Sequence, residues 1–363
     1  MSPAPDRRAE RLTEAVADAG LDAVIVGDLV RPGDSSRDAM ADVSWLTGFR
    51  GSSAITVIGP DVRCFVTDFR YLTTAAEGIP GSFEIVDAAA EMLPAVARRL
   101  AGRVGIDESK TSVKSRAKLL EEIGDGTELI GIEDPVAELR RVKDAAEIEL
   151  IAEAARITDA AYAFIEGRGL AGRTEREVAL AAEAKMRELG ADDPSFASIV
   201  AAGENGALPH AVPGDRKIAA GEYVVVDMGA IFGGYCSDCT RTLVDGDPDP
   251  LQRQVYELVL AAQLAGLDAI GAGADGRGVD AVARSVIAEA GYGERFGHGL
   301  GHGVGIEVHE APRLSKRSED TLMAGEVVTV EPGVYLPGEF GVRIEDLVVV
   351  TEAGHRNLST HPK

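Results

Sequence analysis

Residues 223–244, YVVVDMGAIFGGYCSDCTRTLV, decide how the carboxyl-terminal part of this chain folds. Tyr223 to Gly229 is an apolar run of strand length. Ser237 to Val244 reads as its hairpin partner, and Gly233-Gly234 supplies the turn between them. Each strand carries one aspartate, Asp227 and Asp238, 11 residues apart. In a hairpin that spacing brings both carboxylates to one face. Like charges at that range repel, and each raises the other's pKa. A carboxylate in an apolar strand is costly unless something pairs with it, and a cation shared by both removes the cost.

Three downstream segments add to this pair. Residues 297–310, GHGLGHGVGIEVHE, hold three of the six histidines of the chain, His298, His302 and His309, interleaved with glycines that let backbone approach a site closely. Val327 to Glu331 (VVTVE) is a strand in which Val327, Thr329 and Glu331 share a face. Gly341 to Val350 (GVRIEDLVVV) reads as one more strand, with Arg343, Glu345 and Leu347 on a common face and Arg343 placed to orient Glu345. Asp227, Asp238, His302, Glu331 and Glu345 thus form a candidate ligand set of four carboxylates and one imidazole. Its chemistry suits two divalent ions, Mn²⁺, Co²⁺, Fe²⁺ or Zn²⁺, and not a thiolate zinc site. Such a pair of ions generates a nucleophile at neutral pH and polarises a carbonyl.

The order of these residues within VVVDMGA, YCSDCTRT, GHGVGIEVHE, VEPGVY and VRIED resembles the pita-bread metallopeptidases, and most of all the Xaa-Pro branch of proline dipeptidase (prolidase) and aminopeptidase P. WLTGFRGS at 45–52 is similar to the amino-terminal domain of that branch and of creatinase. The resemblance implies an α/β and α+β architecture: a creatinase-like amino-terminal α/β domain over residues 1–133, then a pita-bread catalytic domain over 134–363. It implies two divalent ions, with Mn²⁺ the expected metal, and a homodimer. By motif, Asp227 would bind one metal through both oxygens, and Asp238 and Glu345 would bridge. His302 would bind a single ion, and Glu331 would be a ligand that also takes the proton of the attacking hydroxide. His210, in NGALPHA, would stabilise the reacting carbonyl. His309 would contact substrate near the scissile bond, His298 would line a proline pocket, and Arg343 would support the ligands or touch substrate. Arg313, in HEAPRLS, would bind the free carboxylate of a dipeptide, a task a guanidinium suits. That residue favours a dipeptidase over an aminopeptidase acting on longer peptides. A creatinase-like hydrolase and a non-catalytic binding protein are weaker alternatives, because relatives of those kinds dispense with the ligands.

The remaining sequence agrees with a two-domain enzyme. A chain of 363 residues that is 45% hydrophobic is long enough for two cores. Its formal charge of −23 excludes nucleic acid and anionic membrane surfaces as partners. No run approaches the roughly 18 apolar residues of a membrane span, and the first residues lack a secretory apolar core. Three cysteines make no disulfide framework, so the cytoplasm is the expected compartment. The first half alternates helices (Arg7 to Ala19, Glu91 to Ala101) with strands (Ala23 to Gly27, Ala54 to Ile58, Arg63 to Thr67, Val104 to Ile106), a pattern for a partly parallel sheet. Pro135 breaks the chain before long helices at Asp144 to Gly167 and Thr174 to Leu189, the second capped by Thr174 with Glu177. Two motifs are decoys. Cys236 and Cys239 point to opposite faces of a strand, and Gly271, Gly273 and Gly276 follow a helix instead of a strand.

Overall fold

A computed structural model describes residues 4–33, 35–89 and 91–363. The chain divides into two compact units, Met1–Arg140 and Arg141–Lys363.

In the first unit, helices α1 (Ala4–Asp18), α2 (Ala41–Thr47), α3 (Leu72–Gly78), α4 (Met92–Ala97) and α5 (Val113–Glu122) accompany six strands. These are β1 (Ala23–Val26), β2 (Ala54–Ile58), β3 (Arg63–Thr67), β4 (Glu84–Asp87), β5 (Arg103–Asp107) and β6 (Glu128–Ile132). They form one sheet in the order β4-β3-β2-β1-β5-β6. The pairs β3/β4, β1/β5 and β5/β6 are parallel, while β1/β2 and β2/β3 are antiparallel. The mixture follows from the connections: a tight turn at Gly59-Pro60-Asp61 joins β2 to β3, whereas parallel neighbours need a helical crossover. Ile25, Val57, Val66, Val104 and Ile106 fill the core. Helix α4 is shorter than the span 91–101 suggests. Its last turn tightens into i→i−3 bonds, Arg99 N to Val96 O and Leu100 N to Ala97 O, and releases the chain into β5. Helix α6 (Ala137–Arg141) closes this unit.

The second unit repeats one packing scheme. Helices α7 (Ala145–Arg168) and α8 (Glu175–Glu188) cover β8 (Ile199–Ala202), β9 (Val224–Met228) and β12 (Cys239–Leu243); the short strands β7 (Asp193–Pro194), β10 (Ala230–Phe232) and β11 (Tyr235–Cys236) form a sheet of their own in the order β11-β10-β7. Helices α9 (Pro250–Asp268) and α10 (Gly276–Glu289) cover a second sheet. Its strands are β13 (Gly301–Gly303), β14 (Glu310–Leu314), β15 (Val327–Val330), β18 (Asp346–Thr351) and β19 (Gly354–Asn357). The hairpin of β16 (Gly333–Leu336) and β17 (Phe340–Arg343) stands apart from both. Asp144 caps α7 and Thr174 caps α8, each in a capping box with the glutamate three residues on, Glu147 and Glu177.

The run expected to be one strand, Gly341 to Val350, is two. It breaks at Ile344-Glu345, where the backbone leaves the β16–β17 hairpin for the five-stranded sheet. The break is stitched from outside: Glu345 N donates to Thr240 O at 3.1 Å, and Arg241 Nη1 donates to Glu345 O. The strand ending at Val330 changes sheet at the same level, because Pro332 has no N–H to continue the ladder. Glu331 and Glu345 therefore both sit where backbone crosses between sheets.

Candidate functional site

Asp227 lies in β9 directly opposite Thr240 in β12. Its neighbour across the pair is thus a threonine, and Asp238, two residues before Thr240 on the same side, is the diagonal carboxylate. The chain between them folds as β10 and β11 around Gly233 and Gly234, whose φ of 59° and 84° need glycine. Cys236 and Cys239, which follow this turn, are both buried. Cys236 Sγ faces Ile306 O, and Cys239 Sγ faces Glu345 O.

His302, in β13, is oriented through its own backbone neighbourhood. Nδ1 lies 3.0 Å from Gly303 O and donates to it, which turns Nε2 towards the carboxylates. Nε2 is 3.7 Å from Asp238 Oδ2 and 3.4 Å from Glu331 Oε1. Thr329 links the two chains here: it accepts from His302 N at 3.1 Å and donates to Glu331 Oε1 at 3.3 Å. Thr240 Oγ1 donates to Glu345 Oε2 at 2.7 Å. Donor atoms of Asp238, His302 and Glu345 fall within 4.8 Å of one another, and no other group of three such residues does so among the described residues. Asp227 and Glu331 stand outside that triad, drawn towards Arg343 and His302 respectively.

Arg343, fully buried, joins the ligand candidates to the pocket wall. It donates to Asp227 Oδ2 (2.6 Å), Thr240 Oγ1 (3.0 Å), Tyr335 Oη (3.0 Å) and Pro209 O (3.3 Å). Arg343 was expected to orient Glu345. It holds Asp227 directly and reaches Glu345 only through Thr240, because the break at 344–345 turns the two side chains to different partners. Tyr335 Oη continues to His298 Nε2 at 2.9 Å, while His298 Nδ1 is held by Gly299 O at 2.8 Å.

The electrostatics of this cluster call for positive charge. Burial, then repulsion from Glu345, Asp227 and Glu331, pushes Asp238 well above the usual carboxylate range. Burial and the charges of Glu331 and Asp227 do the same to Glu345. Asp227 is raised by burial in spite of Arg343. Burial also opposes ionisation of Glu331, but contact with His302 and the charges of His302, His298 and Arg343 hold it down at about 2. One oxygen of Asp227, Oδ1, is buried without any hydrogen-bond partner. An orphaned carboxylate oxygen beside three crowded carboxylates and an imidazole lone pair fits bound divalent cations.

All ten residues singled out in the sequence line one cavity of about 810 Å³. Asp227, Asp238, His302, Glu331 and Glu345 form its floor together with Arg343. His210 and His309 are exposed on its walls, and the His309 ring lies 4.5 Å from that of His302. Burial, followed by the neighbouring His302 and Arg313, lowers the pKa of His309 to about 4. Arg313 is exposed in β14, in register with His302 across the β13–β14 pair. Phe196, Ile199, Val212 and Val308 make much of the remainder apolar. The sequence reading gave no role to three residues. Tyr335 links Arg343 to His298, and Thr240 and Thr329 each tie a ligand candidate to its neighbour. Strand periodicity from Asp238 would have found Thr240, whereas Tyr335 lies on the strand paired with that of Arg343, in a hairpin that was not read from the sequence.

The family model of metallopeptidase family M24 matches residues 149–352, and that of the creatinase/prolidase N-terminal domain matches residues 8–142. The uncharacterized peptidase YqhT of Bacillus subtilis is 41% identical over 326 residues, 89% of this chain and 92% of that protein. The solved structure of an Xaa-Pro dipeptidase from Bacillus anthracis is 38% identical with a TM-score of 0.92, covering 99% of this chain and 98% of that one. An X-Pro aminopeptidase from Thermotoga maritima is 36% identical with a TM-score of 0.88, covering 98% of each chain. With four carboxylates and a histidine gathered at the floor of one cavity, the chain belongs to metallopeptidase family M24 and carries a creatinase/prolidase-type amino-terminal domain.

Proposed function

We propose that this chain is an Xaa-Pro dipeptidase, hydrolysing the bond before a carboxyl-terminal proline. The observation that carries the choice is the register of β14 on β13. It pairs Arg313 with His302 and so sets an exposed guanidinium on the wall of the cavity that the ligand candidates floor. A dipeptide ends in a carboxylate close to its scissile bond, and a guanidinium there binds it in a two-point grip. The likeness to the Bacillus anthracis enzyme agrees. A second reading, an aminopeptidase acting on longer Xaa-Pro peptides, is favoured by the likeness to the Thermotoga maritima enzyme.

Asp227, Asp238, His302, Glu331 and Glu345 would hold two divalent ions, with Mn²⁺ the expected metal. When bound, such ions lower the pKa of water and polarise a carbonyl. The residues of the chain do the rest. Glu331, ionised and touched by His302 and Thr329, accepts a proton from the attacking water and returns it to the proline nitrogen as the C–N bond breaks. His309 is neutral near pH 7 and donates a hydrogen bond to the developing oxyanion, and His210, lining the same cavity, would do so too. His298, fixed by Tyr335 and Gly299, packs against the proline ring. Arg343 orients Asp227 and offsets part of the cost of burying its charge. The tertiary amide before proline, which lacks an N–H, needs such a dedicated pocket.

A homodimer is the proposed assembly. No helix of the described residues is long and apolar enough to cross a membrane, and the cytoplasm is the proposed location. The deciding experiment compares hydrolysis of an Xaa-Pro dipeptide and an Xaa-Pro-Yaa tripeptide under Mn²⁺. Preference for the dipeptide is expected; equal or better cleavage of the tripeptide would establish the aminopeptidase reading instead.

A further inference from the structure

His302, His309 and Arg313 all lie on the β13–β14 hairpin, yet its ladder is interrupted. Gly301 pairs with Leu314 and His302 with Arg313, but Gly303 pairs with Glu310, so Ala311 and Pro312 bulge out between them. A bulged hairpin does not fix its own register by ladder bonds alone. His309 and Arg313 flank the bulge, one on each side.

Each side is held from behind by the segment 141–143. Glu310, adjacent to His309, folds its carboxylate into the turn: Oε1 accepts from Glu307 N at 3.1 Å. A Cβ on Gly305 would come within 2.4 Å of Glu310 Oε2, so the turn closes tightly over that carboxylate. Oε2 is then gripped by Lys143 Nζ at 3.1 Å, in a pair whose side chains are 1% and 7% exposed. On the other side, Arg313 N donates to Asp320 Oδ2 at 2.8 Å, and Asp320 Oδ1 lies 3.2 Å from Arg141 Nη1. The segment itself is anchored. Arg141 Nε donates to the buried Glu326 Oε1 at 2.9 Å, Lys143 Nζ donates to Arg141 O at 3.1 Å, and Lys143 N donates to Gly325 O at 3.0 Å.

We propose that Arg141 and Lys143 are positioning residues of this peptidase: they form a strap that sets the places of His309 and Arg313 through Glu310 and Asp320. Neither touches the cavity, and the clamp acts on substrate binding without acting on the metal ligands. The substrate half of this proposal rests on the Xaa-Pro reading; the clamp itself does not.

The test uses the full-length, Mn²⁺-loaded protein with Lys143→Met, Lys143→Arg and the double variant Lys143→Met/Glu310→Gln. The double variant removes both buried charges together, so it lacks the extra destabilisation that the Glu310 carboxylate without Lys143 adds to the single variant. Amide hydrogen exchange is read for 304–314, Mn²⁺ affinity by titration, and KM and kcat on an Xaa-Pro dipeptide. Lys143→Met and the double variant are expected to raise exchange in 304–314 and to raise KM about tenfold. kcat should fall as well, by up to about tenfold, because His309 serves the developing oxyanion, and Mn²⁺ affinity should be unmoved. Lys143→Arg, which retains a donor towards Glu310, should recover most of the protection. Unchanged exchange in 304–314, or a loss confined to kcat at constant KM, would overturn the strap. A wild-type enzyme that leaves the dipeptide intact would overturn the proposed substrate, and the exchange result would still decide the clamp.

Discussion

Arg343 donates from Nη2 to Asp227 Oδ2 at 2.6 Å, while Oδ1 of the same carboxylate is buried with no partner. One oxygen of Asp227 is thus held by the protein, and the other is left available to a cation. The same guanidinium spans Thr240, Tyr335 and Pro209, so its planar fork organises four groups at once. Lysine offers one point charge and cannot span them. Arg343→Lys is therefore expected to weaken Mn²⁺ binding by roughly 10–100-fold, the usual cost of losing an outer partner of a metal ligand. Calorimetric titration of the metal-free protein checks this; unaltered affinity would show that Asp227 orients itself.

Glu345→Gln should act in opposite directions on the two forms of the protein. Without metal, Glu345 is buried among Glu331 and Asp227 and repelled by both. An uncharged amide relieves that repulsion, so the metal-free variant should melt higher than metal-free wild type by a few degrees, corresponding to about 1 kcal/mol. With Mn²⁺ the wild type should gain stability that the variant largely forgoes, and peptidase activity should fall by more than about a hundredfold. Thermal melts with chelator and with Mn²⁺ read both effects, and a lower metal-free melting temperature would refute the repulsion.

The stability of the metal-free protein should decline as pH rises above about 5. Asp227, Asp238 and Glu345 have raised pKa values, so the folded chain retains protons that unfolded carboxylates lose near pH 4. The folded state then binds more protons than the unfolded one, and raising pH favours unfolding. Glu331, held at about 2, works the other way, but its contribution is complete once pH exceeds about 4–5. Bound metal displaces those protons and should flatten the profile between about pH 5 and pH 8. Chemical denaturation across that range, with chelator and with Mn²⁺, measures the two slopes; equal slopes would count against a shared proton load.

Arg313→Ala should raise KM for an Xaa-Pro dipeptide by on the order of tenfold to a hundredfold, the worth of a charge-assisted pair with a carboxylate. An Xaa-Pro-Yaa tripeptide, whose carboxylate lies one residue farther away, should be affected far less. Steady-state kinetics on both substrates give the comparison, and equal losses would assign Arg313 to something other than the dipeptide carboxylate.

Local signals in the sequence were strong wherever a short segment settles its own conformation. The capping boxes Asp144/Glu147 and Thr174/Glu177 start their helices as their residue types dictate. Strands 54–58 and 63–67 emerge from apolar runs flanking a Gly-Pro-Asp turn. The segment 341–350 misled because every residue in it suits a strand; its break comes from Thr240 and Arg241, about a hundred positions earlier in the chain, which capture the backbone at Glu345. The partner of Arg343 was missed for the same reason: adjacency along a strand suggested Glu345, and the break awarded the guanidinium to Asp227.

By itself the sequence determined the chemical inventory: four carboxylates and an imidazole in apolar surroundings, with spacings that hairpins and glycine turns can bring together. Those properties are local, because residue type and strand periodicity fix which face a side chain takes. Only the tertiary structure decided which groups touch. The pairing of Arg313 with His302 depends on a bulge two residues wide, and Tyr335, on the same β16–β17 hairpin as Arg343, also reaches out of that hairpin to His298. Register across a bulge and contact between sheets are set by packing of distant segments, and no periodicity within a single strand encodes them.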